Sequence, residues 1–174
     1  MIYITAYDEL YPIIAEIDGV PLSFAEYKQS ISAKRAAVMS KYVSYGIETE
    51  RGFWETEYKG KTPFEKLKQV AFDEAVRRKI IQIFARQKGI TCEITYKAFL
   101  QKHEAENNRR AGNQIIYGPK QYETAVFFDL YIAELSAETT TNDENNKALA
   151  EMIQKANIKI NHEVYDNISV DDVK

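Results

Sequence analysis

Alternating apolar and polar positions near the start of the chain predict a β-strand over residues 13–17, "IIAEI". The dipeptide Asp18-Gly19 that follows is typical of a tight turn. Ser23 and Glu26 then have the S-x-x-E spacing of a capping box, which predicts that a helix begins there. Because a short strand without a neighbour is not stable in water, this strand needs a partner elsewhere in the chain.

Helical periodicity predicts about five helices after this strand. The first begins after Ser23 and ends near Gly46. The second is the longest, because Thr62 caps it, Pro63 lies in its first turn and Gly89 stops it. About twenty-six helical residues would span roughly 40 Å, which predicts a long helical arm. The other three helices are predicted after Thr91, from Pro119 or Gln121, and over a last segment that ends at Asn157.

Several polar segments are expected to face solvent. Residues 47–61 have no sustained period and predict an irregular excursion, and residues 136–146 predict a polar linker. His103 is expected to be a solvated helix residue, and the basic pair Arg109-Arg110 a solubilising surface. On the long helix, the cationic side chains expected to face water are Lys66, Lys68, Arg77, Arg78 and Lys79.

A second alternating segment, residues 158–165, predicts the missing partner strand, with His162 packed within it. The fold class expected is therefore mainly α, with a long helical arm closed by a small sheet that pairs residues 13–17 with residues 158–165. Residues 1–10 are expected to be a flexible lead, and residues 11–174 a single domain.

Composition and charge exclude several classes of function. The formal net charge is -3 and the pI is near 5.6, which argues against nucleic acid as the main partner. No run approaches the roughly 20 apolar residues of a membrane span, so no span is expected in this chain. Cys92 is the sole cysteine, which excludes an internal disulfide and a cysteine-based metal cluster.

Residues that could carry catalysis lack the necessary spacing. His103 and His162 are far apart and neither lies in an H-x-x-x-H or H-E-x-x-H motif. Cys92 is better explained as an unreactive small residue. The carboxylate pairs are better explained as solvated faces, and no glycine-rich phosphate loop is present. We therefore expect no enzyme activity, no metal site and no cofactor.

The aromatic residues are the strongest candidates for binding. Twelve Tyr, eight Phe and one Trp make up 12% of the chain. Phe127 and Phe128 lie about 100° apart on a helix, so if one enters the core the other faces its edge. The sequence thus predicts an exposed apolar groove that contacts peptides. Its expected residues are Phe53, Trp54, Tyr58, Tyr117, Tyr122, Phe127, Phe128 and Tyr131. The alternative is that these side chains pack only against one another.

Three segments together resemble the N-terminal chaperone domain of the SurA and PrsA class of bacterial foldases, which is related to the chaperone domain of trigger factor. The segments are "IIAEIDGVPLSFAEYKQSI", "FEKLKQVAFDEAVRRKIIQIFARQKGI" and "IKINHEVYDNI". Members of this class commonly carry a parvulin-type prolyl isomerase domain near the position of residues 136–146. Here that connection is too short to hold such a domain.

The resemblance implies a non-catalytic, holdase-like chaperone domain that shields apolar segments of unfolded or newly exported polypeptides. One alternative is a prolyl isomerase family member whose catalytic part is absent or supplied elsewhere. A second is a structural subunit that forms a homodimer. The resemblance also implies an extracytoplasmic location, with an upstream export segment or membrane anchor removed and Met1 as an added residue.

Overall fold

The computed structural model describes residues 11–112 and 115–173. Within them the chain is mainly helical with a small three-stranded antiparallel sheet, which confirms the predicted fold class. The strands are β1 (Ile13–Ile17), β2 (Val20–Ser23) and β3 (Ile158–Ile160). The helices are α1 (Phe24–Ser44), α2 (Pro63–Gln87), α3 (Tyr96–Ala111), α4 (Thr124–Thr139), α5 (Asp143–Lys155) and the short α6 (His162–Tyr165). The predicted flexible lead, residues 1–10, lies outside the described residues.

The chain divides into two compact units. Unit 1 takes the chain up to Arg77 and again from Asn157 onward, and unit 2 is Arg78–Ala156. The division falls inside α2. A single domain over residues 11–174 stays a prediction, because compactness alone does not establish whether either unit folds by itself.

The two ends of the described chain pair in the sheet of unit 1, as the sequence predicts. Strand β1 is central, and its antiparallel pairing with β3 places Ala15 opposite Ile160 and Ile17 opposite Ile158. These residues lie about 140 positions apart in the sequence. The pairing therefore closes unit 1 around a long excursion of the chain.

Strand β2 is the neighbour of β1 that the sequence analysis missed. Asp18 and Gly19 have φ angles of 50° and 77°, both left-handed, as the two-residue turn of a β-hairpin requires. The Asp18 carboxylate also accepts the backbone N–H of Asn157 at 2.8 Å, so the turn holds the start of β3. The capping residue Ser23 and the proline Pro21 hid this strand, because both favour a loop or an edge position.

Strand β3 is shorter than the predicted strand of residues 158–165, which was wrong beyond Ile160. The side-chain amide of Asn161 donates to the carbonyl oxygen of Ile13 at 3.0 Å and ends the ladder there. Helix α6 follows directly. His162 is consequently exposed on this helix, with Nδ1 3.1 Å from an Asp166 carboxylate oxygen, and is not packed within a strand.

The two long helices begin at the predicted caps. Ser23 and Glu26 form both bonds of a capping box before α1. Thr62 and Glu65 form the equivalent pair of bonds before α2, at 2.7 and 3.1 Å. Each cap satisfies backbone N–H groups that the first helical turn leaves without partners. These local signals explain why both helix starts are predictable from the sequence.

Lys68 contradicts the expectation that the cations of α2 face water. Its ammonium group donates to the carbonyl oxygens of Tyr165 and Ile168 at 3.0 and 3.1 Å, and its charge lies 5.0 Å from the centre of the Tyr165 ring. Carbonyl groups at the end of a helix carry partial negative charge, which a lysine stabilises. Lys68 therefore fastens the C-terminal segment to α2 within unit 1.

Tyr27 lies at the centre of the core of unit 1, where it is 0% exposed. Its hydroxyl donates to the backbone carbonyl of Lys68 at 3.0 Å. Burial raises the pKa of the Tyr27 phenol far above its usual range, and burial also raises the pKa of Tyr165. In the unfolded chain these phenols ionise near pH 10. We therefore expect the free energy of unfolding to fall as the pH rises from about 9 to about 11.

The substitution Tyr27→Phe isolates this effect. We expect it to cost about 1 kcal/mol near neutral pH, through the lost hydrogen bond, and to make the alkaline fall shallower. Burial lowers the pKa of the Lys68 ammonium, which acts with the opposite sign over the same pH range but is present in both proteins. Urea unfolding at about pH 8.5 and pH 11 measures the difference. Equal alkaline losses in the two proteins would contradict the expectation.

Unit 2 buries two of the cations that were predicted to face water. The Arg78 guanidinium pairs with the Asp129 carboxylate at 2.7 Å and lies over the Phe128 ring, and the Lys79 ammonium donates to the backbone carbonyl of Ile94 at 3.3 Å. Both side chains are buried. The prediction for Arg78 and Lys79 was wrong because their hydrogen bonds to acceptors in α4 and in the α2–α3 connection offset their loss of water.

The later helix boundaries differ from the predicted ones by several residues. Helix α4 begins at Thr124, not at Pro119 or Gln121, because residues 115–122 are held in a loop by side chains of α3. Helix α4 also extends to Thr139 and α5 begins at Asp143, so the linker predicted over residues 136–146 spans only residues 140–142. The hydroxyl of Thr139 donates to the carbonyl of Leu135 at 2.8 Å inside the last turn of α4.

Candidate functional site

The eight aromatic residues predicted to contact peptides lie in both compact units. Phe53, Trp54 and Tyr58 belong to unit 1. The other five belong to unit 2: Tyr117, Tyr122, Phe127, Phe128 and Tyr131.

The unit 1 group packs around the end of α1. Gly52 has a φ of 87° and starts a short 3-10 turn that turns Phe53 into the interior, where it is buried. The Tyr42 ring lies 5.8 Å from the ring of Phe53 and 5.8 Å from that of Tyr58. The guanidinium of Arg35 lies 5.6 Å from the centre of the Trp54 ring. These contacts give the three predicted residues a packing role in the irregular segment after α1.

The unit 2 group separates into buried and partly exposed members. Phe128 is 1% exposed and Tyr131 is also buried, whereas Phe127 and Tyr122 are half-buried. The Phe127 ring lies 5.2 Å from His103 and 5.8 Å from Tyr122. Consecutive residues on a helix point about 100° apart, so the split between Phe127 and Phe128 agrees with the sequence analysis.

A polar face of α3 holds the loop of residues 115–122 at Tyr117, Pro119 and Tyr122, and we call this segment the anchored loop. The side chains of the polar face are His103, Glu106, Asn107 and Arg110, spaced three or four residues apart on one side of the helix. The amide of Asn107 accepts the backbone N–H of Tyr122 at 2.8 Å and donates to the Tyr122 carbonyl at 3.1 Å. His103 Nε2 lies 2.7 Å from the same carbonyl oxygen and 3.0 Å from the amide nitrogen of Asn107.

Arg110 makes the largest number of these contacts. Its guanidinium donates to the carbonyl oxygens of Tyr117 and Pro119 at 3.2 and 2.7 Å, and to the Tyr122 hydroxyl at 2.8 Å. It also pairs with the Glu106 carboxylate at 2.9 Å and lies 4.3 Å from the centre of the Tyr122 ring. Hydrogen bonds from Arg109 and then from Arg110 hold the pKa of Glu106 below its usual range. The loop backbone is therefore fixed by a charged pair.

These contacts correct two predictions. His103 was expected to be solvated, but it is half-buried because the Tyr122 carbonyl and the Phe127 ring cover it. Arg110 was expected to be a solubilising surface residue, but it is buried because the anchored loop supplies acceptors for its donors. Arg109 remains exposed, as expected, and pairs with Glu106.

Large apolar side chains project into solvent from the anchored loop and from α4. Ile115 is 82% exposed and Tyr117 is 90% exposed. On α4, Val126 and Leu130 are 48% and 47% exposed and lie one turn apart on the same side. Such side chains gain free energy when a partner covers them, at about 25 cal/mol for each Å² removed from water.

A groove of about 450 Å³ lies between α3 and α4 in unit 2. Phe127, Tyr131 and Leu135 form its apolar floor, and charged residues of both helices line its rim. We call it the unit 2 groove. Phe127 and Tyr131 thus lie together in this groove, while Phe128 is buried in the core. Whether the predicted residues contact a peptide stays a prediction.

The sequence analysis did not select Ile115, Val126 or Leu130. A signal was present, because "TAVFFDLYIAEL" carries large apolar residues on more than one side of α4. A helix of that composition either is surrounded by its own protein or leaves an apolar side exposed. The run Ile115-Ile116-Tyr117 beside Gly118 gave a similar signal for the loop.

The described residues contain no cluster of three or more His, Cys, Asp or Glu side chains placed to hold a metal ion. Cys92 is exposed. Across residues 11–112 and 115–173, no helix combines the length and the apolar character needed to cross a membrane.

Comparison of this chain with protein-family models, curated proteins and solved structures found no match.

Proposed function

We propose that this protein is a non-catalytic, chaperone-like module that holds apolar segments of unfolded polypeptides and so slows their aggregation. One observation carries the proposal: Tyr117 is 90% exposed on a loop whose backbone is held by Arg110 at Tyr117 and Pro119, and Ile115, two residues earlier, is 82% exposed. A held backbone has already lost conformational entropy, so a client that covers Tyr117 does not have to order the backbone at that residue.

The unit 2 groove supports the same proposal. Its aromatic floor can accept side chains of different shapes, and aromatic surfaces suit contact with many apolar sequences. Phe127 and Tyr131, two of the residues predicted to contact peptides, line the groove. Val126 and Leu130 add exposed apolar area on α4. Client contact is therefore proposed for the anchored loop and the groove, not for the buried Phe128.

The resemblance to SurA and PrsA foldases is a second, independent support, since it rests on the three quoted sequence segments. It carries with it the proposal of an extracytoplasmic location and of unfolded or newly exported polypeptides as clients. Under this proposal the protein has no prolyl isomerase activity of its own. A peptide isomerisation assay should then give only the uncatalysed rate, with half-times of tens to hundreds of seconds.

The test replaces the exposed side chains and leaves the anchoring residues intact. The double variant Ile115→Ser/Tyr117→Ser is expected to bind an aromatic-rich, uncharged model peptide about tenfold more weakly, because it loses two apolar contacts. It is also expected to slow the aggregation of a denatured model protein less than the parent does. Fluorescence anisotropy and light scattering measure the two effects.

A matched control is available at the end of α1. Val43 and Tyr45 are also large and exposed, at 51% and 65%, so Val43→Ser/Tyr45→Ser removes similar apolar surface from unit 1. This control should bind like the parent. If both double variants bind equally well, the anchored loop is not the contact surface. A parent protein that neither binds the peptide nor slows aggregation would overturn the proposal, and association that grows with protein concentration would instead support the homodimer.

A further inference from the structure

A second groove, of about 540 Å³, lies between α1 and α2 in unit 1. Its volume falls within the roughly 300–1,000 Å³ that is typical of ligand clefts. Val38, Tyr42 and Val70 give it an apolar lining. Because Val70 and Tyr42 are only half-buried, part of this lining remains accessible to a ligand.

The groove is locally basic in a chain whose formal net charge is -3. Four cationic side chains line it, against two carboxylates. The Glu74 carboxylate is shared by Lys34 at 3.1 Å and Arg77 at 2.9 Å. The cations that remain are Lys41 and Lys66, one on each helix.

Lys41 and Lys66 have no carboxylate of the described residues within ion-pair distance, which is 4 Å between nitrogen and oxygen. Lys41 is exposed and Lys66 is half-buried beside the apolar lining. An incoming carboxylate would therefore meet two cations without first displacing an ion pair of the described chain. Charges of this kind select an acidic ligand and raise its rate of encounter.

The dimensions of the groove fit a short peptide segment. On α1 the lining runs from Lys34 to Tyr42, and on α2 from Lys66 to Arg77. At 1.5 Å per residue these stretches are roughly 12 and 16 Å long. An extended chain rises about 3.3 Å per residue, so the groove accommodates about four or five residues.

We propose that the unit 1 groove binds a short acidic–apolar segment of a client polypeptide. Carboxylates of the segment pair with Lys41 and Lys66, and its intervening apolar side chains lie against Val38, Val70 and Tyr42. This proposal rests on the proposed function in one respect: the ligand is a segment of a client polypeptide. It adds a preference for acidic clients at a site distinct from the anchored loop.

The test uses three five-residue peptides that alternate valine with glutamate, glutamine or lysine and carry an uncharged dye. The full chain is expected to bind the glutamate peptide about tenfold more tightly than the glutamine peptide, because the glutamate peptide forms two ion pairs with Lys41 and Lys66 that the glutamine peptide lacks. The lysine peptide should bind most weakly. Fluorescence anisotropy at low salt and at about 0.5 M salt should show that the preference shrinks as salt screens the charges.

The variant Lys41→Glu/Lys66→Glu should lose the preference for glutamate or reverse it towards lysine. Its matched control, Lys120→Glu/Lys147→Glu, makes the same charge change at exposed lysines outside the groove and should keep the preference. Circular dichroism checks that each variant is folded. Equal binding of the three peptides, a preference that salt does not change, or equal effects of the two double variants would overturn the proposal.

The two proposals fail separately. Ile115→Ser/Tyr117→Ser should leave glutamate-peptide binding intact, and Lys41→Glu/Lys66→Glu should leave binding of an uncharged aromatic peptide intact. If only the aromatic peptide binds, the groove proposal is wrong and the proposed function stands. If only the glutamate peptide binds, the unit 1 groove is a peptide site without the general chaperone activity.

Discussion

Replacing Arg110 with methionine is expected to destabilise the protein by about 2–3 kcal/mol and to loosen the anchored loop. Methionine keeps much of the length of the side chain but removes its charge and its three donated bonds to the loop. Loss of one member of a buried, hydrogen-bonded pair usually costs about 3–5 kcal/mol. The expected cost is lower here because Glu106 keeps its bonds to Arg109.

Two measurements follow the loss of Arg110. Urea unfolding reports the global stability. Hydrogen exchange of the Tyr122 backbone amide, which donates to Asn107, reports local opening of the loop. Exchange should accelerate by more than the global destabilisation accounts for, because the remaining Asn107 bonds are left without the adjacent charged contacts. Client binding should also weaken, since a mobile loop must be ordered when a client binds.

Arg109→Met provides the control for this prediction. Arg109 neighbours Arg110 and pairs with the same carboxylate, but its side chain is exposed. Exposed pairs contribute little to stability. Identical stability and exchange in Arg109→Met and Arg110→Met would mean that the anchored loop does not depend on the Arg110 contacts.

Replacing Phe128 with alanine is expected to cost about 3–5 kcal/mol, the usual range for a buried aromatic residue. Phe128 is 1% exposed, its ring lies 4.8 Å from that of Phe99, and the guanidinium of Arg78 lies over it. The substitution removes these contacts and leaves a cavity. Thermal or urea unfolding against the parent protein measures the loss.

Val126→Ala on the same helix is the control, because Val126 is 48% exposed and its loss should change stability little. The pair also tests the role that the sequence predicted for Phe128. At a temperature where Phe128→Ala is still folded, it should bind an aromatic peptide like the parent, since its ring does not reach solvent. A stable Phe128→Ala that had lost peptide binding would instead show that Phe128 reaches the client.

The parts of the fold that follow local rules were predictable. Ser23 with Glu26 and Thr62 with Glu65 satisfy backbone groups within one helical turn, so their pattern is sufficient to place the starts of α1 and α2. The alternation over Ile13–Ile17 needs a partner, and the second alternating segment supplies β3. The positions of these helix starts and strands follow from short-range hydrogen bonds and from the period of the side chains.

The wrong predictions for buried and half-buried polar residues have a common cause. Arg78, Lys79, His103 and Arg110 were all assigned to solvent, because periodicity gives the face of a residue but not what covers that face. Each is held by acceptors from another segment of the chain, such as Asp129 for Arg78, Tyr122 for His103 and Pro119 for Arg110. A buried charge is tolerated only where such acceptors exist, and their presence depends on the tertiary fold.

The candidate site was likewise predictable from the sequence only in part. An excess of aromatic and apolar residues over residues 115–135 was visible in the sequence, and it indicated the region of the anchored loop and the unit 2 groove. The sequence did not distinguish the buried Phe128 from the exposed Tyr117, because both are large apolar residues in one crowded stretch. It also gave no sign of the basic groove, whose lysines are 25 positions apart.

By itself, then, the sequence determined the helical class and the caps of the two long helices, since these depend on spacing within short segments, and its two alternating segments indicated that the chain ends pair. Only the tertiary structure decided that Val20–Ser23 pairs with β1, that Arg110 fixes a loop with exposed Ile115 and Tyr117, and that Lys41 and Lys66 line one groove. The physical reason is that burial, ion pairing and exposure are properties of neighbours in space, which periodicity along the chain does not specify.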